Sequence, residues 1–359
     1  MRLEKRASPS PAWRLAAPLL ALLATLLIGS LLVAWAGAPI GKAYALLLEG
    51  GFGSRFAWSE TLTRATPLIL TGLAAAVAFR ARLFNIGAEG QLYIGALAAV
   101  AVGGLHGGTG YELSPWLLFP LMMAAAALAG ALLLLGPALL KSRLGVDEVV
   151  TTLLLNFFVL LFVSWMLDGP MKDPLAMGWP QSVGLQEALQ LDKLIARSRV
   201  HSGLLWAIVA ALLLWGLLKH GTTGFEIRAV GAGPTAAAFA GMPIAWVTVK
   251  VALLSGALAG LAGAIEVAGR TGYVTLDMSP GYGYSGIVIA MLAGLHPLGV
   301  VAAAVFVAGL LVGADSMSRA VGVPTYIADV IVATALIAML VSSLLINYRI
   351  RWRERRDGR

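Results

Sequence analysis

The sequence predicts an all-α polytopic membrane protein, and three observations carry that reading. Hydrophobic residues make up 59% of the 359 and charged residues only 12%, half of the ~25% typical of soluble domains. Mean hydropathy is +0.85. The apolar runs are near 20 residues long and do not alternate, so they read as helices crossing ~30 Å of hydrocarbon rather than barrel strands. Gly is abundant at 42 residues. No G-X-Y period or low-complexity tract accompanies it, which excludes collagen and disorder.

Ten apolar segments follow in order, near 15–36, 61–79, 84–105, 115–140, 148–167, 203–218, 244–267, 284–295, 297–314 and 325–347. The first follows Arg2, Lys5, Arg6 and Arg14. It is longer than the ~7–15 residues of a cleavable signal core, so it is expected as an uncleaved helix after a cytoplasmic N-terminus of residues 1–14. The segment at 284–295 is too short to cross as a helix. It is expected as a half-helix, or as one extended by 281–283. If the pair near 284–314 is re-entrant, the count falls to eight. The membrane domain of 15–347 ends in a basic tail, 348–359.

Lys and Arg set the orientation. With the N-terminus inside, 16 of the 26 fall in inside segments, nine in outside segments, and Lys250 within a span. The bias places both termini in the cytoplasm. It also accounts for the net charge of +8 without a nucleic-acid partner.

Two connections exceed simple turns. Residues 169–202 form an outside loop, in which Leu185, Leu189, Leu191 and Leu194 predict a surface helix within 185–199. Residues 219–243 form an inside loop. There Pro234 suits a helix start and Gly241-Met242-Pro243 its stop, so a short helix over 234–240 is expected along the membrane. Gly145-Val146 before the fifth span echoes Gly322-Val323 before the tenth. Leu70-Thr71-Gly72 in the second echoes Leu254-Ser255-Gly256 in the seventh. The paired spans run in opposite directions, as inverted repeats do.

Several chemistries lack their residues. There is no G-x-x-x-x-G-K-[ST], no H-E-x-x-H, no G-x-S-x-G and no cysteine, so ATP hydrolysis by this chain, zinc proteolysis, serine proteolysis and thiol chemistry have no support. His106, His201, His220 and His296 are scattered and suggest no metal site. Polar residues within spans are the informative ones, because they cost free energy unless paired or hydrated. Asn85, Glu89 and Gln91 cluster at the third span, with Asn85 and Glu89 four apart on one expected helix face. They either line a solute route or cap a helix start, and both readings stand. Asn156 lines that route or bonds a neighbouring helix. Tyr282 and Tyr284 contact a ring-bearing solute or sit at the interface. Lys250 snorkels inward, Glu266 is expected to be wet at the outer end, and Asp329 pairs with Arg319 or caps its helix. Gly256-xxx-Gly260 and Gly309-xxx-Gly313 are close-packing sites.

Four stretches carry a family resemblance: Phe84–Gln91 (FNIGAEGQ), 224–233 (GFEIRAVGAG) with Ala240-Gly241, Ser279-Pro280-Gly281-Tyr282-Gly283, and 145–152 (GVDEVVTT) followed by Asn156. Together with Pro297-Leu298-Gly299 they resemble permease subunits of ABC importers of the ribose/branched-chain-amino-acid type, nearest to the nucleoside and simple-sugar permeases. The resemblance covers about residues 60–345. It implies a second permease subunit, an extracytoplasmic substrate-binding protein, and cytoplasmic ATPase subunits that use ATP and Mg while this chain binds no cofactor. It implies a multi-pass protein of a bacterial or archaeal inner membrane. It assigns Gly224, Phe225, Glu226, Arg228, Gly231, Pro234 and Gly241 to a coupling element against the ATPase. Gly233, Pro234 and Thr235 stand where many members carry an acidic residue or Asn. Two other readings of the polar residues are an ion-coupled secondary transporter using Glu89, Glu266 or Asp329, and a membrane scaffold without transport.

Overall fold

The computed structural model describes residues 2–5, 11–105 and 113–351. His106 and the tail beyond 351 lie outside them. The chain divides into two compact units, Trp58–Ala308 and a smaller one of Met1–Ala57 with Gly309–Arg359.

The helices are α1 (Pro11–Trp35), α2 (Ile40–Phe52), α3 (Arg55–Arg80), α4 (Ala88–Gly103), α5 (Pro115–Leu144), α6 (Glu148–Asp168), α7 (Gly203–His220), α8 (Thr222–Ala232), α9 (Pro234–Phe239), α10 (Ile244–Glu266), α11 (Tyr282–Leu292), α12 (Pro297–Val321) and α13 (Thr325–Asn347). Among the described residues, seven are long and apolar enough to cross a membrane, or eight if the bent pair α1 and α2 counts as one. The third and eighth expected segments are the short ones, α4 at 16 residues and α11 at 11. Each is preceded by non-helical chain, 84–87 and 272–281.

In the smaller unit, α1 and α2 meet at 116° through Gly37, whose φ of +74° is one that glycine adopts without a Cβ penalty. The Tyr44 hydroxyl on α2 donates to the Leu26 carbonyl of α1 at 2.9 Å. Gly309 and Gly313 let the end of α12 close on α2, where an added Cβ would overlap Phe52 and the Leu47 carbonyl. The sequence reading missed α2, because Lys42 and Glu49 break its apolar run. Strands β1 (Arg2–Lys5) and β2 (Tyr348–Arg351) pair antiparallel, Arg2 opposite Arg351. The two ends of the described chain therefore lie on one side.

In the larger unit, α3 and α10 are mostly buried, while α6 and α7 leave most of their surface outward. That is the division between core and lipid-facing helices. Helices gain no hydrophobic drive from lipid, so close packing at small residues holds them together. Gly256 and Gly260 of α10 press on Gly130 and Ala126 of α5. Gly95 of α4 meets Gly260, and Gly263 of α10 meets Leu92. At each point an added Cβ would overlap a backbone atom.

One end of this unit is built from the 169–202 connection. Only Glu187–Leu189 is helical there, as a single 3₁₀ turn, so the surface helix expected over 185–199 does not form. The leucine spacing serves bridges instead. Gly104 pairs with Leu185, Gln181 with Thr275 and Lys193 with His201, and Leu185 and Leu189 are buried beneath them. The same end holds a π-type turn, Val267–Thr271, after α10. There the Arg270 guanidinium binds the carboxyl of Glu266 and donates to the Met278 carbonyl at 2.8 Å. Glu266 is fully buried, not wet as its place near a span end implied, because the chain returns over it.

His201 lies against Gly269, buried. Burial foremost, and the Arg270 charge next, push its imidazole down to about 4 from an ordinary ~6.5. The unfolded chain then takes up its proton first as pH falls. Stability is complete above pH ~6.5 and declines between ~6.5 and 4. Thermal unfolding in detergent across that window should show the decline in wild-type protein, and His201→Gln should flatten it. A second test concerns the glycine contacts. Gly260→Val should overpack by about 1–3 kcal/mol and lower the unfolding temperature. Gly136→Val, where an added Cβ meets open space, should not.

Candidate functional site

The two non-helical stretches meet. Residues 84–87 precede α4, and the turn at Asn85 forms from the local sequence. The Asn85 side chain accepts from the Gly87 N–H at 2.9 Å, the type of short-range bond by which Asn replaces a helical turn. Asn85 therefore lies ahead of α4 rather than on its face with Glu89, which corrects the helical spacing expected for the pair. Its amide donates to Gln91 Oε1 at 2.9 Å and to Ser255 Oγ at 3.0 Å, and Gln91 returns a bond to Asn85 Oδ1 at 2.9 Å. Ser255 Oγ donates in turn to the Ala74 carbonyl of α3 at 2.8 Å.

The open backbone of 84–90 is satisfied from α6. Glu148 accepts from the Phe84 N–H at 3.1 Å, and Thr152 from that of Ile86 at 3.2 Å. Asn156 accepts from Gly90 N–H at 2.9 Å and donates to the Ile86 carbonyl at 2.9 Å and the Tyr284 hydroxyl at 3.0 Å. Lys141, near the end of α5, pairs with Glu148 and donates to the Arg82 carbonyl at 2.6 Å.

The second stretch, 272–281, is satisfied the same way. Ser182 exchanges bonds with Val274. The Tyr93 hydroxyl donates to the Leu276 carbonyl and accepts from Ser279 N–H. Gly281 turns the chain at φ +84°, and α11 begins. Its first N–H groups are capped from outside the helix. Ser279 Oγ accepts from Tyr282 at 3.0 Å, and Glu89 Oε2 accepts from Gly283 at 2.6 Å. A Cβ on Gly283 would overlap the backbone of Ala88 and Glu89, so only glycine lets the two helix starts touch. An acidic group at a helix N-terminus is favourable on charge as well.

The structure thus brings together Asn85, Glu89, Gln91, Asn156, Tyr282 and Tyr284. Tyr284 is 38% exposed; the other five are buried. The sequence reading missed Tyr93, Ser182 and Ser255 as members of the same network. Tyr93 stood in an apolar run, Ser182 in the long outside loop, and Ser255 was marked only by its echo of the second span. Glu266 is engaged with Arg270 elsewhere in the unit. A recess of about 930 Å³ lies apart from the cluster, with apolar walls that include Trp116, Phe119, Trp206 and Leu213. Among the described residues no group of three or more His, Cys, Asp or Glu is placed to hold a metal.

The coupling residues form a second cluster. Beyond the helix expected over 234–240, found as α9, residues 222–232 of the expected inside loop form α8, with glycines at 224 and 231. Those glycines are contacts. An added Cβ on Gly224 would overlap the Leu217 carbonyl of α7, and one on Gly231 the Arg80 carbonyl of α3. Glu226 pairs with Lys250 of α10 at 2.9 Å, so Lys250 braces α8 rather than simply snorkelling. Gly233 separates the two helices, Pro234 opens α9, and Gly241 (φ +80°) ends the turn after it. Phe225 and Phe239 are 56% and 90% exposed. Phe239 was not singled out from sequence, where it reads as part of a small-residue run.

Short helices whose N-termini meet inside a many-helix protein form the core of a membrane transport fold. The chain belongs to the family described as branched-chain amino acid transport system / permease component, whose model matches residues 57–340. It is 37% identical to the guanosine ABC transporter permease protein NupP of Bacillus subtilis, over 93% of this chain and 94% of that protein. It is 37% identical to the glucose ABC transporter permease protein TsgB13 of Haloferax volcanii, over 95% and 91%. It is 29% identical to the nucleoside ABC transporter permease protein NupB of Lactococcus lactis subsp. cremoris, over 91% of each.

The network makes a stability prediction. Asn156→Leu removes the partners of Gly90 N–H and the Ile86 carbonyl, groups whose orphaning costs about 1–3 kcal/mol each. The purified variant should unfold several degrees lower than wild type. An unchanged unfolding temperature would remove Asn156 from the structural network.

Proposed function

We propose that this chain is the membrane-spanning permease subunit of an ATP-binding-cassette importer, and that it carries a nucleoside or a related simple sugar by alternating access. Its place is the inner membrane of a bacterium or archaeon, with both termini in the cytoplasm. The pairing of β1 with β2 supports the second point, since it holds both ends on one side. The solute class rests on the three relatives, whose names give guanosine, glucose and nucleoside. This chain supplies no ATPase site or cofactor. ATP and Mg are used by partner ATPase subunits, with a second permease subunit and an extracytoplasmic binding protein completing the assembly.

The observation that carries the proposal is α8–α9, an element fastened to three spans with two phenylalanines left outward. Gly224 seats it on α7, Gly231 on α3 and the Glu226–Lys250 pair on α10. An apolar side chain as exposed as Phe239 marks an interaction surface when it stands on a braced element. Gly224, Phe225, Glu226, Arg228, Gly231, Pro234 and Gly241 form or shape that element, and movement of a docked ATPase would reach the spans through it. In the membrane, Asn85, Glu89, Gln91, Asn156 and Tyr282 act on the solute route by holding its wall. Tyr284 is the member that faces outward from the cluster.

Arg228→Glu and Phe239→Asp should each reduce co-purification of the ATPase subunit and lower solute uptake, with membrane insertion unchanged. Normal association and uptake in both variants would overturn the coupling assignment. Equilibrium binding of nucleosides and sugars to the companion binding protein would identify the cargo.

A further inference from the structure

The half-helix α11 is held at both ends by one short stretch of chain, residues 80–89. At its C-terminal end, Arg80 Nη2 donates to the Leu295 carbonyl at 2.7 Å. At its N-terminal end, Glu89 accepts from Gly283. Along its length, Gly286 and Ile289 rest on Thr71 and Gly72 of α3, and the Thr71 hydroxyl donates to the Tyr282 carbonyl at 3.0 Å. An 11-residue helix is only about 16 Å long, so two end bonds and one side contact fix it as a body.

The same stretch touches α8. The Arg80 carbonyl is the atom against which Gly231 packs, and Arg82 Nη2 donates to the Ala232 carbonyl at 3.4 Å. Arg228 stands within electrostatic range of Arg80. The backbone is bent on both sides of the Arg80–Leu295 bond, with Arg82 at φ +57° and Leu295 at φ +60°. Left-handed conformations are uncommon for non-glycine residues and strained for L side chains. They persist where surrounding contacts over-determine them.

We propose that residues 80–89 clasp α11 and make it a lever, so that a shift of α8 reaches the centre of the membrane as a rigid displacement of α11. Arg80 is the positioning residue at the driven end and Glu89 at the far end, where α11 meets α4. The transmission half of the proposal rests on the coupling role given above to α8; the clasp itself does not.

The test uses the full transporter in lipid nanodiscs and takes advantage of a chain with no cysteine. Spin labels at Thr222→Cys on α8 and Met291→Cys on α11 report the distance between the two helices. With Arg80 present, that distance should be the same in nucleotide-free and ATP–vanadate-trapped complexes. In Arg80→Met, which keeps the aliphatic stem but no donor, it should change between the two states. That variant should retain the bound ATPase and its basal hydrolysis, lose about tenfold in uptake and in hydrolysis stimulated by the binding protein, and recover most of both as Arg80→Lys. A wild-type distance that changes between states, or full coupling in Arg80→Met, overturns the lever. Failure of the coupling assignment reads differently: Arg228→Glu then leaves the ATPase bound, and the label distance still reports whether the clasp holds.

Discussion

Hydrocarbon offers no partner to a backbone N–H or C=O, and each one left unpaired there costs several kcal/mol. Two short apolar helices of this protein, α4 and α11, each follow a non-helical stretch, at 84–87 and at 272–281, and the rest of the larger unit is arranged around that constraint. The side chains that answer it are Asn85, Glu89, Tyr93, Glu148, Thr152, Asn156 and Arg270. Each bonds backbone of a broken stretch or of the helix start beyond it. This explains how so apolar a chain carries so many buried polar groups. It also explains why the groups sit in pairs of elements. Glu89 at the start of α4 caps the start of α11, so the two non-helical stretches are satisfied together.

Glycine sets what is rigid and what is held by few bonds. Where α4, α5 and α10 touch, contact is backbone to backbone at Gly95, Gly130, Gly256, Gly260 and Gly263, a geometry that tolerates no sliding without steric overlap. Helix α11 has a different kind of attachment. It is short, it lies between a left-handed turn at Gly281 and another at Gly294 and Leu295, and its ends are secured by a few side-chain bonds, from Ser279 and Glu89 at the start and from Arg80 just past the end. Fixed packing beside a short element with discrete end contacts is the combination from which hinge and shear movements arise. The order of elements points the same way. The sequence α3, short α4, α5, α6 recurs as α10, short α11, α12, α13, and Gly145 and Gly322 at corresponding turns share φ +68°. Short helices α4 and α11 start at one contact, where Gly283 meets Ala88 and Glu89.

The long spans were legible because length and hydropathy alone define them, and the short helix opened by Pro234 was legible because proline and glycine mark its ends. Helix α2 was hidden by Lys42 and Glu49, and α8 by glycines whose role is contact with Leu217 and Arg80 rather than flexibility. A sequence shows that a glycine is present but not what approaches it. The leucines near 185–194 misled for a related reason. Their spacing fits a helical face, yet Leu185 and Leu189 pack on Gly103 of α4 while the backbone of Leu185 and Leu191 bonds to Gly272 and Ala268, all distant in sequence. In the site, the residue types were legible and their partners were not. Asn156 was visible as a polar group in a span, but its bonds to Gly90 and Ile86 join residues 66 and 70 positions away. Arg80 looked like an ordinary cytoplasmic-edge charge, and only the return of the chain to Leu295 gives it a second role.

The satisfied state of the polar cluster bears on how a polar solute is handled. A group already bonded at 2.9 Å to its own fold gains little by exchanging that bond for one to a solute, since the net change is a swap of similar partners. Under the proposed reading, the buried Asn85, Gln91 and Asn156 contribute shape to a passage more than affinity. A passage of low affinity releases its cargo readily, and selectivity then has to be exercised before entry, by a protein that binds the solute tightly and delivers it. Under the proposed reading the binding protein has that task, and the free energy for release comes from the ATPase through α8. Coupling of this kind is reciprocal. A delivered solute that favours one position of α11 must favour the matching state of the ATPase by the same factor, and a chain with a weak site can meet that requirement only if the link between α8 and α11 is stiff.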